Sequence, residues 1–226
     1  MKPIASRRQA FSLIELIIVI AVIVIIASFT MPAMNTILKG SHLTQASGIL
    51  VGQINIARQQ ALSRNRVIEV RFYRYADPEI PGETLADPSS GKYRAMQMFE
   101  VQQPSGIALP IDKIQPLPGG TIFAYSDSQG LSSLLDKGTA GAPKRPGSDD
   151  KTAPRLPRGV DFNYEYASFR FNPDGSTDKS PTAKWFITVV NMNDKIEGAD
   201  KPPPNFFTVQ VDPVSGATRT YRPTAG

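Results

Sequence analysis

The sequence predicts an α+β protein in which one long N-terminal helix packs on antiparallel β-sheet. Residues 13–27 are apolar with a single exception. Residues 43–61 repeat apolar side chains at the period of a helix. Beyond residue 66 the pattern changes to alternation with period two, broken by turn clusters. Proline follows the same division: Pro3 and Pro32 precede residue 76, and the other eighteen of the 20 prolines follow it.

The front of the helix is read from hydropathy. Every side chain from Leu16 to Ala27 is apolar. With Leu13 and Ile14 the stretch reaches about 18 residues, near the minimum for a spanning helix. A lone strand in lipid leaves its backbone groups unsatisfied, so a helix is the expected form despite the β-branched content. Lys2, Arg7 and Arg8 precede the stretch and supply three of the net +5 charges. Basic residues on that side place the N-terminus in the cytoplasm. With so little excess left elsewhere, charge alone does not indicate a nucleic-acid binder.

Glu15 is the exception inside the apolar stretch. A carboxylate in lipid costs a few kcal/mol unless it is paired. A plain anchor has no use for it. A partner cation offsets part of that cost, and the obvious candidate is a free α-amino group on a neighbouring subunit.

The run Arg8-Gln9-Ala10-Phe11-Ser12-Leu13-Ile14-Glu15-Leu16 resembles the class III signal of type IV prepilins and pseudopilins. The resemblance covers about 22 residues and implies a pilin-like fold. It implies cleavage by a prepilin peptidase between Ala10 and Phe11 on the cytoplasmic face, then N-methylation of Phe11. Glu15 becomes the fifth mature residue and neutralises the N-terminal amine of the adjacent subunit during assembly. Pro32 falls where that family often bends its helix, since an interior proline removes a backbone bond. The family's usual residue before the cut is Gly. Ala10 stands there instead and is the nearest in size. An ordinary secretory signal accommodates Glu15 poorly, and no clear A-x-A site follows.

Past Pro32 the helix becomes amphipathic. Leu43, Ala46, Leu50, Ile54, Ala57 and Ala61 make one stripe at the 3.6-residue period. The helix is therefore expected over about residues 12–65. Gly48 and Gly52 form a small-xxx-small pair, for which close packing on the sheet is the preferred explanation and a helix–helix contact the alternative. His42, the only histidine, has no acidic neighbour on this helix and is read as surface or interfacial, not catalytic.

The expected division is a leader over 1–10, a transmembrane helix over 11–31, its amphipathic continuation over 32–66, and a β-rich head over 67–226. Residues 67–73 read as a half-buried strand. Further strands are expected at 93–101, 121–125, 168–172, 185–191, 206–212 and 217–221. Asn172-Pro173-Asp174-Gly175 reads as a turn and Asp212-Pro213-Val214-Ser215-Gly216 as a hairpin. Residues 76–92 and 137–158 are proline-rich and read as surface insertions or mobile loops. The second carries six basic and two acidic residues, most simply a solvated loop.

The back of the chain carries a second resemblance. Ala57-Arg58-Gln59-Gln60-Ala61, and Phe169-Arg170-Phe171-Asn172-Pro173-Asp174-Gly175-Ser176 followed by residues 209–216, look like H-type minor pseudopilins and FimT-like minor pilins. In the latter a basic C-terminal tail is associated with DNA capture. Arg219 and Arg222 are the matching residues, and two arginines supply a modest electrostatic term. DNA uptake is thus the alternative function, and a membrane-anchored domain with another binding role is a further one.

No chemistry is indicated. The chain has no cysteine, so no disulfide, thiolate metal site or cysteine nucleophile is expected. No phosphate loop, HExxH or nucleophile elbow occurs. Asp174, Ser176 and Asp178 imitate a calcium loop but lack its closing Glu. The expectation is a non-enzymatic minor pilin or pseudopilin subunit, with no cofactor and no metal. Its partners are the prepilin peptidase, other pilin-like subunits and the inner membrane. It is held there by a single pass with the head periplasmic, before incorporation into a filament.

Overall fold

The computed structural model describes residues 12–125, 130–136, 143–146, 152–195 and 202–223, with residues 29–36 described by backbone alone. These residues divide into a unit ending at Gly40 and a second unit beginning at Ser41. Helix α1 is assigned over Leu13–Arg64, so the unit boundary falls inside it. The amphipathic part belongs to the head.

Both helix ends are capped for identifiable reasons. Ser12 Oγ accepts from the Glu15 backbone N–H at 3.2 Å, the side-chain half of a Ser-x-x-Glu capping box. At the other end Asn65 takes φ 52°, and the Arg66 N–H reaches the Ala61 carbonyl at 3.3 Å. Asn tolerates the left-handed conformation that this closure needs.

The head is one antiparallel sheet. Among the described residues its strands are β1 Val67–Tyr75, β2 Lys92–Val101, β3 Ala108–Pro110, β4 Gln115–Pro116, β5 Thr121–Phe123, β6 Glu165–Phe171, β7 Trp185–Asn191, β8 Phe206–Val211 and β9 Thr218–Tyr221. The order is β6-β1-β2-β5-β7-β8-β9, with β3 and β4 also pairing β2. The seven strands expected from alternation are all present. β3 and β4 were not foreseen, because three and two residues are too short to show a period.

The predicted stripe is the buried face of α1: Leu43, Ala46, Leu50, Ile54, Ala57 and Ala61 are all at most 2% exposed. They pack with Ile68, Val70, Phe72, Phe123, Phe169, Phe171 and Val189 of the sheet. Burial of each Leu or Ile contributes roughly 1.5–3 kcal/mol. Gly48 and Gly52 do not serve this packing. A Cβ added at either meets nothing within 4 Å, so the preferred explanation of close approach to the sheet is corrected. Both lie off the stripe that faces it.

β1 is buried on both faces, not half-buried. Its even-numbered residues Ile68, Val70 and Phe72 face α1. Tyr73 and Tyr75 join a second core with Phe99, Val101, Leu156, Val160, Tyr164 and Tyr166. Glu69 and Arg71 share that second face and are 1% and 6% exposed. Arg71 Nε donates to Glu69 Oε1 at 2.6 Å and Arg170 Nε to Glu69 Oε2 at 2.8 Å. The Arg71 guanidinium also lies 4.1 Å from the Phe99 ring centroid. Burial pushes the Glu69 carboxyl up, but the two arginines outweigh it and hold it below its ordinary value. Period-two reading assigned these polar residues to solvent. It cannot see that a second layer covers them.

That layer comes partly from the segments expected as loops. In 76–92, Arg94 Nη1 and Nη2 grip Glu83 in a bidentate pair at 2.7 Å each. Asp77 pairs with Arg158, and Asn163 Nδ2 donates to the Leu85 carbonyl. In 137–158 the residues 137–142 and 147–151 lie outside the described residues. Lys144 bridges Tyr166 of β6, and Leu156 is buried. The expectation of mobile loops is therefore corrected where these segments are described: they are fastened to the sheet.

Asp112 gives a prediction. Its Oδ1 accepts from the Met98 N–H at 2.8 Å, while its Oδ2 is buried with no partner among the described residues. Burial raises the carboxyl pKa above its ordinary value. The folded state thus holds the proton more tightly, and stability falls as pH rises through the folded pKa. Asp112→Asn keeps the acceptor and removes the charge. The melting midpoint of the parent minus that of Asp112→Asn is expected to increase as pH is lowered from 7 to 4, read by circular dichroism. A constant difference would show that Asp112 does not titrate abnormally.

Candidate functional site

The candidate site is the front of α1. Ser12 starts the helix through its cap and thereby fixes where Glu15 stands, in the first turn. A carboxylate there complements the helix dipole. The apolar side chains on either side of it are exposed all round: Leu13 is 76% exposed, Ile14 68%, Val19 46% and Ile26 59%. There is no polar side to this helix, so water is an unsuitable surrounding for it. The Ser28 hydroxyl donates to the Ile25 carbonyl at 2.7 Å, which satisfies it within the helix. Among the described residues no helix is long and apolar enough to cross a membrane. The side chains at 29–36, into which the run continues, are not among them.

Ala10 and Phe11 lie outside the described residues, as does the Pro32 side chain. The α1 backbone is helical at position 32. His42 is half-buried on α1.

The short motifs at the back of the chain meet in space. Arg58 Nε donates to the Ser215 carbonyl at 2.8 Å. Gly175 and Gly216 have φ 82° and 66°. A Cβ on Gly216 would lie 2.1 Å from the Gly175 carbonyl oxygen and 3.1 Å from Arg58 Cδ. The β6–β7 turn and the β8–β9 hairpin are thus clasped to α1. Residues 57–61, 172–176 and 212–216 are joined by packing and by the Arg58–Ser215 hydrogen bond.

The remaining candidates have structural employment. Asp174 Oδ1 accepts from the Ser176 N–H at 2.9 Å, and Asp178 Oδ1 from the Arg170 N–H at 2.9 Å. Among the described residues no group of three or more His, Asp or Glu is placed to hold a metal ion. Arg222 Nη1 donates to Thr44 Oγ1 at 3.3 Å, which ties the tail to α1. The Ser215 N–H and hydroxyl hold the Asp212 carboxyl below its ordinary value, and Arg219 adds to this. The alternative of DNA capture through Arg219 and Arg222 finds no support in this arrangement.

Sequence reading missed the Ser12–Glu15 cap, although Ser-x-x-Glu ahead of an apolar run signals one. It also missed the buried Glu69 network, for which no signal existed.

Comparison with known proteins gives one sequence match: a model described as the prokaryotic N-terminal methylation motif, over residues 5–31. No curated protein matches the chain. Among solved structures the chain is similar to the type IV minor pilin FimU of Pseudomonas aeruginosa. That match has 12% identity and a TM-score of 0.39, covering 81% of this chain and 90% of that one. The minor pseudopilin EpsH from the Type 2 Secretion System of Vibrio cholerae has 7% identity and a TM-score of 0.40, covering 81% of this chain and 99% of that one. At these scores neither likeness bears on function. The chain therefore carries a prokaryotic N-terminal methylation motif at residues 5–31, ahead of an α+β head.

Proposed function

We propose that the chain is a minor pilin or pseudopilin subunit of a type II secretion-like pseudopilus or a type IV pilus. The observation that carries this reading is the first half of α1. Over residues 13–27 it is apolar on every side, interrupted by Glu15 alone, largely exposed, and it lies within the methylation motif matched over residues 5–31. Such a helix needs lipid before assembly and neighbouring helices after it. The leader 1–10 presents the subunit to a prepilin peptidase, which cuts between Ala10 and Phe11. The apolar helix holds the subunit in the inner membrane with its head periplasmic. Glu15 meets the free amine of an adjacent subunit when the helix leaves lipid for the filament. The role is assembly, and no catalytic step is assigned.

The experiment is mass spectrometry of the mature N-terminus. The expected product begins at N-methylated Phe11, lighter than the full chain by residues 1–10 and heavier by the one added methyl group. An uncleaved N-terminus, or cleavage beyond the apolar run, would overturn the proposal.

A further inference from the structure

A cavity of about 490 Å3 opens at the end of the sheet where β1 closes, β2 begins and β7 closes. Its size is in the range of ligand sites, roughly 300–1,000 Å3. Part of its wall is Tyr75, Asp77, Glu79 and Ile80, so the proline-rich segment after β1 helps to build it. Arg94, 8% exposed, lies in that wall. Its Nη1 donates to the Tyr75 carbonyl and to Glu83, and its Nη2 to Glu83 Oε1. Nη2 also reaches Met192 Sδ at 3.6 Å. A thioether is a weak acceptor. A buried guanidinium N–H pointed at sulfur will exchange it for a carbonyl oxygen that arrives through the opening.

The other lining groups say what brings the carbonyl. Pro116, Pro118 and Pro157 stand around the space with Tyr75. Their fixed rings offer apolar contact without loss of rotamer freedom. Glu83 answers Arg94, and Asp77 answers Arg158. Glu79 lies 3.7 Å from the same Arg158 with its side chain 80% exposed. The surroundings thus hold one more acid than base, and an acidic ligand is disfavoured.

We propose that this cavity binds an extended segment of another protein. One leucine- or proline-sized side chain sits among the prolines. The backbone carbonyl of that residue accepts from Arg94, and a following Lys or Arg extends toward Glu79. The proposal does not depend on filament assembly, and its test uses the full chain in detergent, so either reading can fail without the other.

Fluorescence anisotropy with labelled Leu-Pro-Arg amide and Leu-Pro-Glu amide reads the binding. The arginine peptide is expected to bind saturably and about fivefold more tightly than the glutamate peptide. Gly119 lines the cavity, and a Cβ added there meets nothing within 4 Å. Gly119→Leu is therefore expected to fold and to weaken binding about tenfold or more by filling the mouth. Met192→Leu removes the competing sulfur and is expected to tighten binding about threefold. Melting midpoints by circular dichroism check that both variants are folded. No saturable binding, equal affinity for the two peptides, or undiminished binding by folded Gly119→Leu overturns the proposal. Binding by Met192→Leu no tighter than the parent's also overturns it, since it removes Arg94 from recognition.

Discussion

Glu15→Ala is expected to leave membrane insertion and leader cleavage intact and to reduce incorporation into filaments at least about tenfold. Glu15 is exposed in the first turn of α1, and its backbone N–H is held by Ser12. Alanine has the higher helix propensity, which offsets the loss of the carboxylate's favourable interaction with the helix dipole. Removing an acid from an apolar stretch makes insertion easier by a few kcal/mol. On the proposed role of Glu15, what disappears is attraction to the neighbouring amine. At an effective dielectric of about 20 and 4 Å, two unit charges attract by about 4 kcal/mol. Even a fraction of that, repeated along a filament, outweighs the gain in apolar contact. Glu15→Gln separates charge from polarity and should resemble Ala. Immunoblotting of the sheared filament fraction against the membrane fraction gives the readout. Equal partition of parent and Glu15→Ala would remove the role assigned to Glu15, while leaving the methylation of Phe11 a separate question.

Gly216→Ala is expected to destabilise the head by about 3 kcal/mol and to lower the melting midpoint by about 10 °C. Gly216 has φ 66°, where a β-carbon costs roughly 1–2 kcal/mol. The added atom would also lie 2.1 Å from the Gly175 carbonyl oxygen, which is backbone and cannot turn aside. Relief requires the β8–β9 hairpin to lift from the β6–β7 turn and from Arg58, whose bond to the Ser215 carbonyl would lengthen. Gly48→Ala is the control. Its β-carbon meets nothing within 4 Å, and an Ala in a helix is better than a Gly by about 1 kcal/mol. That variant should melt about 2–4 °C higher. Equal midpoints for the two variants would show that the clasp does not hold the hairpin.

The two cases mark how far sequence reading reaches. The stripe Leu43 to Ala61 was legible because helical period and burial are the same fact seen twice. Each longer strand was legible because alternation reports one covered face. Gly48 and Gly52 were misread, since a glycine's spacing does not say what stands opposite it. Gly216 was legible only as a turn residue. Its contact with Gly175 joins segments some forty residues apart in the chain, which no local pattern encodes. Arg58 was noted as part of a motif, and its acceptor could not be named.

By itself the sequence determined the long helix, the period-two strands, the methylation motif and the position of one acid in an apolar run. These depend on residue type and spacing along the chain. The tertiary structure alone decided that β1 is covered on both faces and that Glu69 is buried between Arg71 and Arg170. It also decided that the proline-rich segments are fastened to the sheet. Those facts depend on which distant residues stand across from one another. The register between strands and the second packed layer settle them, and neither is written in any local window.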